Sequence, residues 1–62
     1  MFEKLRKSME EKGDSQQDIA TFCGLRSYIS IHNRMIGKTK WKERDIKLLC
    51  KRYKKSREEL GF

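Results

Sequence analysis

The stretch "SQQDIATFCGLRSYISIHNRMIGK", residues 15–38, decides the fold, because it places two short helices on either side of a glycine. Ser15 stands three residues before Asp18, a variant of the capping box with which helices begin. Gly24 then lets the backbone enter a turn where a side chain would clash. The pattern predicts a short helix that ends at this glycine.

The next helix should follow Ser27, a suitable N-terminal cap, and run over residues 28 to 36 until Gly37 closes it. It has two alternative registers. If the turn after Gly24 is longer by one residue, near Arg26, Ile31 and Met35 lie in the core. If the turn is shorter, two polar side chains, those of Ser30 and Asn33, are buried instead. Burying these groups unpaired would be costly, so we expect the longer turn.

The flanking sequence predicts three further helices. The first helix ends at Gly13, and its apolar stripe consists of Phe2, Leu5 and Met9. The fourth has the broadest stripe, which consists of Ile46, Leu49, Cys50 and Tyr53. Ser56 and Glu59 form a capping box for one last turn. The chain contains no proline, and we expect a compact all-α domain of five helices over residues 1–62, with helices 2 and 3 as a helix-turn-helix.

The sequence gives no sign of enzymatic activity. A chain of 62 residues has a small core with little room for an enclosed active site. No carboxylate pair, no nucleophile with a base and no metal-binding cluster occurs at usable spacing. We expect Cys23 and Cys50 to be buried thiols, and we expect no metal and no cofactor.

The N-terminal sequence "MFEKLRKSMEEKG" is charged every few residues. It does not resemble a signal peptide or a membrane span. The expectation is a cytoplasmic protein with no membrane partner.

The basic charge lies in one half of the chain. The formal net charge is +7, and residues 26–55 hold eleven Lys or Arg against only Glu43 and Asp45. Such asymmetry is typical of a protein that binds a polyanion, because Lys and Arg near phosphates release counterions. An acidic protein surface or a merely solvated face is the alternative.

The order of a capped short helix, a glycine turn and a second short helix matches the helix-turn-helix. At this point the chain resembles the lambda-repressor and Cro-like helix-turn-helix regulators, particularly short versions from phages and mobile elements of Gram-positive bacteria. The matching residues are "FEKLRKSM", "SQQDIA", "GL.S", Gly37-Lys38, Trp41, Asp45-Ile46 and "SREEL". The resemblance implies a small phage-type transcriptional regulator, as in a switch between lysis and lysogeny. It would bind double-stranded operator DNA as a homodimer, with its third helix in the major groove, in the nucleoid of a bacterial host.

By the same resemblance, specific residues would contact DNA. They are Gln16, Gln17, Arg26, Ser27, Tyr28, Ile29, His32, Asn33, Lys38, Lys40 and Lys42. Asn33 can pair with adenine, and Ile29 can touch a thymine methyl. The glutamines and lysines would hold phosphates. The alternatives without a DNA contact are that His32 lies on the surface without a role, that Ile29 belongs to the core, and that Gln16 and Gln17 are simply solvated. Trp41 is expected to anchor the core between helices 3 and 4.

The third helix also admits a different function. Its first turn lacks the Arg or Gln side chains that read bases, and an exposed tyrosine and isoleucine are typical anchors of protein interfaces. The alternative is an anti-repressor that inserts this helix into the DNA-binding domain of a partner repressor. For the homodimer, residues 60–62 together with Leu48 are the best candidate contact surface.

Overall fold

The computed structural model describes all 62 residues and contains five α-helices and no strand. The helices are α1 (Glu3–Lys12), α2 (Gln16–Phe22), α3 (Tyr28–Met35), α4 (Glu43–Tyr53) and α5 (Arg57–Leu60). The prediction of five helices in an all-α chain is confirmed. No helix has both the length and the apolar character needed to cross a bilayer.

Two reciprocal capping boxes begin α2 and α5. The Asp18 N–H donates to Ser15 Oγ at 3.1 Å, and the Ser15 N–H donates to the Asp18 carboxylate at 2.8 Å. At α5, the Glu59 N–H donates to Ser56 Oγ at 3.2 Å, and the Ser56 N–H donates to the Glu59 carboxylate at 2.9 Å. Each box satisfies two backbone N–H groups that a bare helix end would leave unpaired.

A tight turn separates α2 from α3. Gly24 has a φ of 77°, in the left-handed region that glycine adopts without steric cost. The Leu25 N–H donates to the Ala20 carbonyl at 2.8 Å and closes the end of α2. Ala20 is fully buried, and α2 and α3 pack against each other. This is the packing that the helix-turn-helix prediction requires.

The core contains side chains from all five helices and from Cys23, the residue that follows α2. Its buried members are Leu5, Met9, Ile19, Ala20, Cys23, Ile31, Met35, Leu49 and Leu60. Fully burying one of the large aliphatic side chains contributes about 1.5–3 kcal/mol. Ile31 and Met35 are in this core while Ser30 and Asn33 are only half-buried, so α3 adopts the expected register, with Ile31 and Met35 facing inward.

Two expectations about burial need correction. Cys23 is buried, but Cys50 is only half-buried, because it lies at the edge of the α4 stripe. Leu60 has no exposed surface, since the last turn folds back onto the core. Leu60 therefore cannot belong to a dimer surface, and that part of the prediction is wrong.

An aromatic cluster joins the two chain ends to the loop between α3 and α4. The ring centroids of Phe2 and Trp41 are 5.9 Å apart, those of Trp41 and Phe62 are 5.4 Å apart, and those of Phe2 and Phe62 are 5.7 Å apart. Trp41 thus anchors the core as expected, although its ring neighbours are the two chain ends. Its Nε1 atom is buried without a hydrogen-bond partner.

A buried ion pair joins α3 to α4. Arg34 Nη1 lies 2.5 Å from Asp45 Oδ2, and these side chains are only 8% and 6% exposed. The Arg34 guanidinium also lies 5.8 Å from the centroid of the Trp41 ring. Arg34 therefore crosses from the last turn of α3 to the first turn of α4, and it is held from two directions.

Removal of one partner of this pair should be strongly destabilising. Asp45→Ala leaves the Arg34 charge buried and unpaired, and we expect the free energy of unfolding to fall by about 3–5 kcal/mol. The double variant Arg34→Met/Asp45→Leu removes both charges, and it should lose clearly less. Urea denaturation followed by circular dichroism measures both, and equal losses would contradict a buried charge pair.

A second polar network joins the turn before α2 to the end of α4. Arg52 donates two hydrogen bonds to the Asp14 carboxylate, at 2.9 and 2.7 Å, and the Tyr53 hydroxyl donates a third at 2.7 Å. The hydrogen bond from Arg52 is the main reason that the pKa of Asp14 lies below its usual value. Burial, together with the hydrogen bond to Asp14, raises the pKa of Tyr53.

Asp14→Asn should lower the free energy of unfolding at neutral pH by about 1–3 kcal/mol, because the charge that Arg52 contacts is lost. The folded-state pKa of Asp14 is lowered from 3.8, so its contribution is complete above that value and is lost as the pH falls through the folded-state pKa. Urea titrations at several pH values should therefore show the gap between wild type and variant closing below about pH 4. The control Glu10→Gln, at an exposed side chain without an ion pair, should show no such closing.

Candidate nucleic-acid interface

The start of α3 is fixed by Ser27. Its hydroxyl oxygen accepts a hydrogen bond from the Ile29 N–H at 3.2 Å, and its backbone is extended, with φ −128° and ψ 141°. This is the N-cap that the sequence predicts. The cap fixes where α3 begins. In this position Ile31, Arg34 and Met35 are buried, and the other side chains of α3 are half-buried or exposed.

The outward side of α3 mixes apolar and polar groups. Tyr28 is 49% exposed, Ile29 54% and Ile36 51%. We define the α3 face as Ser27, Tyr28, Ile29, His32, Asn33 and Ile36. Ile29 lies outside the core, so its alternative placement as a core residue is wrong. Asn33 is half-buried and the others are exposed.

Apart from the Ser27 cap, the polar side chains of the α3 face have no hydrogen-bond partners within the protein. The Tyr28 hydroxyl, the His32 ring and the Asn33 carboxamide form no hydrogen bond with another residue. The Asn33 backbone carbonyl, in contrast, accepts from the Lys38 N–H at 2.8 Å and from the Thr39 N–H at 3.3 Å. Asn33 is thus held by its backbone, while its side chain is available to a ligand.

Cations lie on both sides of α3 along the chain. Arg26 precedes the Ser27 cap, and Lys38 follows the helix directly. Lys40 and Lys42 continue the loop to α4, and all four cations are exposed. None of them forms an ion pair, since the ion pairs of the protein involve other residues. Their charges are therefore uncompensated by carboxylates.

The two glutamines at the start of α2 differ from each other. Gln17 Nε2 donates to Thr21 Oγ1 at 3.3 Å, which directs its carboxamide along α2. Gln16 is half-buried and forms no side-chain hydrogen bond. The capping box also places the Asp18 carboxylate in this first turn, and a negative charge there disfavours a phosphate. The geometry supports a phosphate contact less well here than at the lysines.

Ile36 is the residue of the α3 face that was not among the DNA contacts predicted from the sequence. It follows Ile29 by seven positions and His32 by four, which puts it on the same helical stripe. It was expected to end the helix, and it is the C-cap. Its exposure could have been predicted from this spacing once the register was known.

Other chemistry finds little support in the structure. No three His, Cys, Asp or Glu residues lie close enough together to hold a metal ion. Burial raises the pKa of the Cys23 thiol, which disfavours the reactive thiolate. Comparison with known proteins returned no matching family model, no matching curated protein and no matching solved structure. The α3 face is therefore interpreted from its own geometry.

Two isoleucines on opposite sides of α3 provide a test of this orientation. Ile31→Ala creates a cavity in the core and should cost about 2–5 kcal/mol of the free energy of unfolding. Ile29→Ala changes an exposed side chain and should alter it by less than about 0.5 kcal/mol. Both variants can be measured by urea denaturation, and similar losses for the two would contradict the orientation of α3.

Proposed function

We propose that this protein is a small DNA-binding transcriptional regulator that inserts α3 into the major groove of operator DNA. The observation that carries the proposal is the α3 face itself. Its Tyr28, His32 and Asn33 side chains have no internal hydrogen-bond partners, and the flanking cations, Arg26 and Lys38, form no ion pair. A surface of this kind provides both base-reading groups and phosphate-binding groups.

The dimensions of α3 suit a groove. An α-helix with its side chains has a diameter of about 10–12 Å, and the major groove of B-DNA is about 12 Å wide. Asn33 would donate to N7 and accept from N6 of an adenine, and Ile29 would contact a thymine methyl. Ser27, Tyr28 and His32 would bind phosphates or base edges.

The flanking cations would supply most of the affinity. Arg26, Lys38, Lys40 and Lys42 are exposed, and each phosphate that they neutralise releases counterions, so binding would weaken as salt rises. They would set the position of the protein on DNA without reading its sequence. Gln16 and Gln17 would contribute weaker phosphate contacts.

One copy of α3 reads only a few base pairs, so we propose that two copies bind a two-fold operator, with half-sites about one helical turn apart. The dimer surface would exclude Leu60, which is buried. In the setting that the resemblance implies, such a dimer would act in the nucleoid of a bacterial host and switch a phage between lysis and lysogeny.

A second function is favoured by the apolar part of the α3 face. Tyr28, Ile29 and Ile36 are each about half exposed, and side chains of this kind serve as anchors at protein interfaces. In this alternative the protein is an anti-repressor, and its α3 binds the DNA-binding domain of a partner repressor.

Two single variants separate reading of sequence from binding of phosphate. Asn33→Ala should weaken binding to the specific duplex by about 1–3 kcal/mol and leave non-specific binding unchanged. Lys40→Ala should weaken both and reduce the dependence on salt. The measurement is fluorescence anisotropy across a salt series, with a duplex from beside the protein's own gene and a scrambled duplex of equal length.

The same titration distinguishes the two functions. Selective binding that weakens steeply with salt supports the operator-binding regulator. Weak binding that is equal for both duplexes contradicts it and favours the partner repressor. Equal losses for Asn33→Ala on both duplexes would contradict the role of Asn33 as a base reader. Sedimentation of the complex gives the number of protein chains on each duplex.

A further inference from the structure

An open groove lies between the end of α2 and one side of α4, and none of its residues belongs to α3. Its volume is about 700 Å³, and its apolar floor consists of Phe22, Cys23 and Leu48. Phe22 is 38% exposed, Leu48 is half-buried and Cys23 is buried. The floor therefore exposes part of a phenylalanine ring beside other apolar atoms, and this surface is available to an apolar side chain of a partner.

The Phe22 side chain of the floor is held in place by Arg52. The Arg52 guanidinium lies 4.7 Å from the centroid of the Phe22 ring, and Arg52 is itself held by two hydrogen bonds to Asp14. Gly24 also lines the groove. A groove that is formed before binding loses less conformational entropy when a ligand docks.

The rim of the groove is strongly cationic. Arg44, Lys47 and Lys51 line it and follow one another along a single stripe of α4, at spacings of three and four residues. All three are exposed and none forms an ion pair. The one carboxylate at the groove, that of Glu43, is paired with Arg57. The rim therefore presents three uncompensated positive charges.

We propose that this groove binds an acidic amphipathic helix of another protein. Large apolar side chains on one stripe of that helix would pack on Phe22 and Leu48. Asp or Glu side chains beside the stripe would pair with Arg44, Lys47 and Lys51. This combines the helix-in-groove mode of recognition with complementary charge.

Two other occupants fit the groove less well. A nucleic-acid backbone would satisfy the cations, but it would leave the apolar floor without a partner of its own kind. A second copy of this chain carries a net charge of +7, which the cationic rim would repel. The observations therefore favour a different, acidic protein.

The experiment begins with a display library of random 16-residue peptides that is selected on the full chain. Selected peptides are then titrated against wild type, against Lys47→Glu/Lys51→Glu and against the control Lys4→Glu/Lys7→Glu. The control pair lies on exposed positions of α1 and makes the same change in net charge. Circular dichroism establishes that each variant is folded. Amide chemical shifts of the wild-type protein, which need no variant, locate the bound peptide.

The expected peptides are rich in Asp and Glu, with apolar residues at helical spacing. They should bind Lys47→Glu/Lys51→Glu about tenfold or more weakly, because two attractive rim charges become repulsive, while the control variant retains their affinity. Shifts should concentrate at Phe22, Gly24 and Leu48. This result stands whether or not α3 binds an operator, so the two proposals can fail separately.

Several outcomes would overturn the proposal. These are a selection that enriches no acidic peptide, equal affinity for both double variants, and shifts that concentrate on the α3 face. A loss of duplex binding in Lys47→Glu/Lys51→Glu, without any acidic peptide bound, would assign the rim to DNA phosphates instead. A concentration-dependent dimer that this variant abolishes would assign the groove to a second copy.

Discussion

The buried pair of Arg34 and Asp45 is the interaction on which the arrangement of this small protein depends. It joins the last turn of α3 to the first turn of α4, and the loop between them carries the exposed lysines 38, 40 and 42. The pair therefore fixes where α3 points and where those cations lie relative to it. Two charges inside so small a core contribute little net free energy, but a packing that left either charge buried alone would be costly.

Local signals in the sequence were sufficient for the helices. The capping boxes at Ser15 and Ser56, the cap at Ser27 and the glycine turns each act within a few residues, and all lie where the sequence predicted. The register of α3 also followed from an elementary argument, since burial of two unpaired polar side chains is costly. The outward position of Tyr28, Ile29 and His32 was a consequence of that register.

Contacts between distant residues could not be predicted in this way. Asp14 meets Arg52 and Tyr53 across almost forty positions, and neither helical periodicity nor capping contains that information. Arg34 was counted only among the cations, because nothing near it in sequence reveals a carboxylate eleven residues away. The groove between α2 and α4 was missed for the same reason.

The aromatic cluster has a practical consequence for the study of this protein. Trp41 is the only tryptophan, and it lies between both chain ends and Arg34. Its indole N–H is buried, and exposure of this ring to water would shift its emission. The protein thus contains an intrinsic fluorophore at the junction of α3 and α4, and displacement of either helix can be followed without a label.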